Sequence, residues 1–249
     1  METASVKDMF RALIQNDQAM TMVLAIVLVN TALYITNNLV IYFFKYDIAN
    51  MTWQNDYTLF TTFGGGIQIV SMMLFFPLLR KFFNTMKLFY VSIGSAVFGY
   101  LVLLGLALSG TKNIYVLFLP AFFIMSALGL LNVIITIFLA NTVDYGEWKN
   151  NRRDESVIFS MQTFVYKLSS GIAALVASVC LSVFKIGGAS TDEVVTEVVK
   201  ASAGSVFGLR MTMTIIPIAV LVVAVVIFMK KYTLTDEKLE TITKELAAR

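Results

Sequence analysis

Histidine is absent from the 249 residues, cysteine occurs once and proline three times. Without histidine there is no imidazole general base and no histidine-based metal site. No Gly-x-x-x-x-Gly-Lys loop marks a nucleotide-hydrolysing protein either. An enzyme built from this chain would have to work through carboxylates or lysine alone, so no enzymatic activity is expected. The lone Cys180 excludes an intrachain disulfide framework and sits in an apolar stretch, where a thiol packs as a small hydrophobe. Charge is scarce as well: 14% of residues are charged against 58% hydrophobic, with a mean hydropathy of +0.78. That balance argues against a soluble domain of this length and for an all-α membrane protein with several spans. The net charge of +3 asks for no acidic partner beyond a lipid leaflet, and no nucleic-acid partner is expected.

Six apolar runs can be drawn, at 19–44, 57–79, 88–109, 114–140, 157–184 and 211–229. Each is long enough to cross a hydrocarbon core of about 30 Å. The first is too long for the h-region of a secretory signal and is expected to span. Lysine and arginine concentrate on one side, in Arg80, Lys81, Lys87, Lys149, Arg152, Arg153 and the two tails, against Lys45, Lys112, Lys185, Lys200 and Arg210 on the other. The bias predicts both termini in the cytoplasm, and the chain is expected in a plasma membrane, the inner membrane of a bacterium. Residues 1–18 carry apolar positions at helical spacing and are expected as an amphipathic segment on the inner surface. The tail, 230–249, repeats the pattern, with Thr235 as N-cap and Leu239, Ile242 and Leu246 on one face. A valine-rich stretch at 194–199 is expected as a short surface helix.

The fifth run contains a single charge, Lys167, about 15 Å from Val157 at 1.5 Å per residue and so near the midplane. An ammonium at that depth costs on the order of 2.5–3.5 kcal/mol on insertion, so it is expected to face a wet cavity or a counter-charge. Ser160, Thr163, Phe164, Ser170, Gly171 and Ala174 share its face, whereas Val165, Leu168, Ile172 and Val179 lie opposite. The first run carries Asn30, Thr31, Tyr34, Asn37, Asn38 and Tyr42, whose spacing puts most of them on one broad polar face, the second Gln68 and Ser71, the fourth Ser126, Asn132 and Thr136. Amides and phenols offer donor and acceptor together, as a sugar hydroxyl requires, although the same groups also serve as interhelical glue. Gly64-Gly65-Gly66 and the three prolines are expected as close-packing points and kinks, since no strand precedes the glycines.

Between the fourth and fifth runs, Asp144, Glu147, Asp154 and Glu155 alternate with Lys149, Arg152 and Arg153. Val143, Tyr145 and Trp148 are interleaved with them. The segment is expected as a loop partly packed against the inner helix ends, either simply solvated or acting as a gate of charge pairs.

The run Asn141-Thr-Val-Asp-Tyr-Gly-Glu-Trp-Lys149, with Arg153, Glu155-Ser156 and Gln162-Thr-Phe-Val-Tyr-Lys167, closely resembles the junction of helices ten and eleven in the glycoside-pentoside-hexuronide cation symporters. These are the melibiose permease group of the major facilitator superfamily. Ile41-Tyr-Phe-Phe-Lys-Tyr46 and the tail Tyr232-Thr-Leu-Thr-Asp-Glu-Lys238 look like that family too, so the resemblance covers essentially the chain, but only the family's second half. It implies a C-terminal six-helix bundle made of two three-helix inverted repeats, carrying sugar with a coupling cation, Na⁺ or H⁺, by alternating access and with no cofactor. It further implies substrate contacts at Lys167, Thr163 and Gln162 and a cytoplasmic gate at Asp144 and Arg153. Tyr145 and Glu155 are grouped with that gate, and Asn132, Asn37 and Tyr34 with the substrate site. Two departures stand out: Asn141 replaces a usual aspartate, and Asn132 replaces an aromatic residue that faces the sugar. The partners implied are a sugar or glycoside, the coupling cation, the bilayer and an N-terminal six-helix half or a second copy. An alternative is a transport-inactive half that self-associates or pairs with another transporter half.

Overall fold

The first apolar run becomes α1, Asp17–Tyr42, because Asn16 caps it: the side-chain oxygen accepts from the Ala19 amide at 2.9 Å. The computed structural model describes residues 14–186 and 201–248; the expected N-terminal surface segment lies almost wholly, and the valine-rich stretch entirely, outside the described residues. The helix α1 continues through a π-helical turn, Phe43–Ile48, and ends at Ala49 in the left-handed region, φ 47°. Next comes α2, Trp53–Val70, which passes through a second π-helical turn, Ser71–Phe75, to Phe76–Arg80. Then follow α3, Thr85–Leu108; α4, Ile114–Asn150; α5, Glu155–Val183; and α6, Ala203–Lys231. A final helix, α7, Asp236–Ala247, starts at Thr235 as expected. Asn84, Asn113 and Ser202 cap α3, α4 and α6. Each of α1–α6 is long and apolar enough to cross a membrane.

One expectation needs correcting. The charged segment from Asn141 is not a loop: α4 runs on to Asn150 and leaves only four residues before α5. Thr142, Val143, Tyr145 and Gly146 are buried, whereas Asp144 and Glu147 are only half-buried. This is the apolar stripe of an amphipathic helix end, so packing carries the helix beyond the hydrophobic run. For the same reason α6 starts at Ala203, well before the apolar run at 211.

Along its length α1 packs against α5 and α6, and α4 packs against α2 and α3; α1 touches α4, and α3 touches α6. Exchanging the first three helices with the last three leaves this pairing unchanged, as two three-helix repeats require. The Asn16 amide donates to the Thr142 carbonyl at 2.8 Å, which places the start of α1 at the end of α4, so the repeats run in opposite directions. At this end Phe89 of α3, Phe138 of α4, Phe228 of α6 and Tyr232 close the bundle with stacked and tilted rings. The tail helix α7 docks beneath them through buried Ile242, flanked by Leu239 and Leu246.

Small residues set the close approaches. A Cβ on Gly129 of α4 would stand 2.5 Å from the Gln68 carbonyl oxygen, at the π-helical turn of α2. In the glycine run only Gly64 is a contact point, where an added Cβ would stand 3.1 Å from the Met125 side chain, whereas Gly65 and Gly66 have open space.

Pro217 explains a three-helix joint. Lacking an N–H, it cannot bond the carbonyl of Met213 four residues earlier. The Thr36 hydroxyl of α1 donates to that carbonyl instead, at 2.8 Å. The Tyr100 hydroxyl of α3 lies 3.1 Å from the Thr36 oxygen. Since the one Thr36 proton is committed to the carbonyl, Tyr100 donates the second bond. Thr36→Val keeps the shape but leaves a carbonyl and a phenol unpartnered, so a loss of about 1–3 kcal/mol is expected. Thermal unfolding in detergent checks this. Thr36→Ser should be close to wild type, and a serine variant as weak as the valine one would show that the hydroxyl is not responsible.

Candidate functional site

The helix α5 has three faces. Val165, Ser169, Ala173 and Ala177 are buried, with the Ser169 hydroxyl near the Val27 carbonyl of α1 at 3.3 Å. Phe164, Leu168, Leu175 and Val179 form an exposed apolar face. Between these lies an exposed polar and small stripe: Ser160, Thr163, Lys167, Ser170, Gly171 and Ala174. Lys167 is thus on an open face near the middle of a 29-residue helix, and among the described residues no carboxylate pairs with it.

One turn before it, the Gln162 amide donates to the Tyr166 hydroxyl at 3.1 Å and approaches the Thr136 hydroxyl of α4 at 3.4 Å. Thr136 in turn donates to the carbonyl of Asn132, at 3.0 Å. Gln162 of α5 is therefore brought up to Thr136, one turn of α4 past Asn132. Tyr34 is half-buried on α1. Asn37 is exposed one helical turn further along, beside a narrow apolar gap that includes Phe60 and Met125, and is hydrogen-bonded to none of the others. The sequence reading names Thr136 among the polar residues of the fourth run but places neither it nor Tyr166 among the substrate contacts. Their signal was spacing, since Tyr166 is four residues past Gln162 and Thr136 four past Asn132. Asn30 and Thr31 leave the expected polar face: both are buried, and the Asn30 amide donates to Ile26 of its own helix at 3.0 Å. Ser71 and Ser126 likewise bond carbonyls of their own helices.

The charged residues at the other end of α5 form two separate clusters. Arg153 sits in the α4–α5 turn and binds three carboxylates: Glu147 at 2.7 Å, Asp144 at 3.1 Å and Glu155 at 3.2 Å. The Glu147 bond, then that of Glu155, holds its guanidinium well above the ordinary arginine range, so its charge is permanent. This hub lies within one hairpin, and each ion pair is half-exposed, so its worth to stability is small. Tyr145 does not join it. Its hydroxyl donates to the Asp17 carboxylate at 3.0 Å, Lys149 binds the same oxygen, and Lys238 of α7 lies over its ring. Gln18 completes this second cluster by accepting from the Thr233 amide at 2.9 Å. Asp17 and Gln18 were read as part of a surface segment. The Asn16-Asp17 pair, a cap followed by an acid in the first turn, was the available sign that a helix began there.

A family model described as MFS/sugar transport protein matches residues 1–236. Lactose permease of Lactobacillus delbrueckii subsp. bulgaricus is 28% identical over 98% of this chain and 37% of its own length. The raffinose carrier protein of Pediococcus pentosaceus is 26% identical over 98% of this chain and 36% of its own length. The isoprimeverose transporter of Lactiplantibacillus pentosus is 30% identical over 57% and 28%. The chain thus spans little more than a third of the length of the first two. These proteins are named as transporters, not enzymes. With the six spans and the inverted pairing of their helices, a family match over nearly the whole chain establishes that the protein belongs to the MFS/sugar transport family.

Proposed function

We propose that the chain supplies six helices of a cation-coupled sugar transporter that works by alternating access. A glycoside, pentoside or hexuronide would be the substrate, and Na⁺ or H⁺ the coupling cation. The observation that carries this reading is Lys167, exposed at mid-depth beside the Gln162–Tyr166–Thr136 hydrogen bonds and without a carboxylate partner among the described residues. An ammonium kept there without a counter-charge is costly in lipid and is retained where it serves a pathway. Lys167 would hold a substrate or substrate-linked charge. Gln162, Thr163, Asn132, Asn37 and Tyr34 would offer donors and acceptors to sugar hydroxyls. An N-terminal six-helix half would cover the open face and bring the carboxylates that this face lacks. The Arg153 hub would serve as part of a gate, because a permanent cation shared by three carboxylates can exchange partners at little cost when helix ends move. Both termini would lie in the cytoplasm.

Co-expression with a matching N-terminal half is expected to give uptake of a radiolabelled glycoside driven by a Na⁺ or H⁺ gradient in membrane vesicles. The chain alone is expected to give none. Gradient-driven uptake by the chain alone, or none by the pair with any glycoside, pentoside or hexuronide tried, would overturn the proposal. The transporter names of the relatives favour this reading over a half that associates without transporting.

A further inference from the structure

The turn between α2 and α3 carries Arg80, Lys81 and Lys87, all exposed, with Phe82 75% exposed at its tip. No aspartate or glutamate occurs from Tyr57 to Val143. Among the described residues none of the three cations makes an ion pair, and Arg80 donates instead to the Phe83 carbonyl at 3.2 Å. At the same end of the bundle Lys149 pairs with Asp17, Arg152 with Asp154 and Arg153 with three carboxylates, while Lys230 and Lys231 at the end of α6 make no ion pair among the described residues. Lys87 also stands in the first turn of α3, where the helix dipole is positive and no acidic residue offsets it. The spacing from Lys87 to Val91 and Phe98 keeps all three on one exposed face of α3, so a cation stands at the foot of an apolar stripe.

We propose that this turn binds an anionic phospholipid. The headgroup phosphate lies among Arg80, Lys81 and Lys87, Phe82 enters the boundary between headgroups and chains, and an acyl chain follows Val91 and Phe98 along α3. A soluble anion would satisfy the cations but not the apolar stripe. The combination selects a lipid.

The test uses the full chain purified in detergent with an equal mixture of dioleoyl phosphatidylglycerol and dioleoyl phosphatidylcholine, with retained lipid counted by native mass spectrometry. Wild type should retain phosphatidylglycerol in at least tenfold preference. Replacing Arg80→Gln, Lys81→Gln and Lys87→Gln together should remove the preference, at about fivefold per cation. The charge-preserving triple Arg80→Lys, Lys81→Arg and Lys87→Arg should keep it. Millimolar glycerol phosphate should not compete, because it lacks the chains. If the glutamine variant fails to insert, wild type decides alone: its preference should fade in high salt. Equal retention of both lipids, a preference that survives the glutamine changes or high salt, or competition by glycerol phosphate would overturn the site. So would loss of the preference when an N-terminal half is paired with the chain, since a protein carboxylate would then be the occupant.

Discussion

Lys167→Met is expected to reduce gradient-driven sugar uptake by the paired transporter to background while the chain still inserts. The lysine is the one charge inside the α5 span, it is exposed rather than packed, and no carboxylate among the described residues neutralises it. On insertion scales an ammonium at the bilayer centre costs about 2.5–3.5 kcal/mol. Methionine fills a similar volume without that cost, so the unpaired chain should become more stable by about 1–2 kcal/mol, the exposed site keeping part of its hydration. Function and stability thus move in opposite directions, which separates loss of a working group from loss of fold. Lys167→Arg should fall between, because a planar fork replaces a compact point charge. Vesicle uptake gives the first quantity and thermal unfolding in detergent the second. Wild-type uptake in the methionine variant would remove Lys167 from the mechanism.

Asp47→Ala is expected to be among the most destabilising single changes in the bundle. Arg210 of α6 grips Asp47 with two bonds, 2.7 and 2.6 Å, and the two side chains are only 18% and 7% exposed. Asp47 sits in the π-helical turn that ends α1, so the pair ties the C-terminal end of α1 to α6. Removing one partner leaves a largely desolvated charge behind, which costs about 3–5 kcal/mol in a closed site. A cavity of about 300 Å³ opens beside the pair and lets water reach Arg210, so the expected loss is about 2–3 kcal/mol. The double change Asp47→Leu with Arg210→Met should recover most of it, because apolar residues of similar size carry no desolvation cost. Unfolding of the four proteins in a double-mutant cycle measures both terms. An Asp47→Ala variant within about 0.5 kcal/mol of wild type would show that the pair is solvated and does not hold the helices together.

Much of the site was legible because its chemistry is concentrated on one helix face. The spacing of Ser160, Thr163, Lys167, Ser170 and Gly171 placed them together, and all are exposed together. The charged residues between α4 and α5 were less legible. Asp144, Arg153 and Glu155 do meet, whereas Tyr145, the neighbour of Asp144, turns to Asp17 on α1, 128 residues away in the chain. No local pattern contains that contact. The Asp47–Arg210 pair, with a separation of 163 residues, was invisible for the same reason.

The sequence by itself determined that the chain makes six spanning helices. Lipid demands about twenty apolar residues per span and a backbone whose hydrogen bonds close within the segment, whatever the neighbours are. Which face of each helix meets protein was decided only by the tertiary structure. Lipid and protein interior are both apolar, so in a membrane helix hydrophobicity does not tell inside from outside. Val165 is buried while Leu168 and Val179 are exposed, though the sequence grouped them on one side. Asn30 and Asn37 are two turns apart on the same helix and chemically identical. Packing of α1 against its neighbours buries the first against its own backbone and leaves the second open.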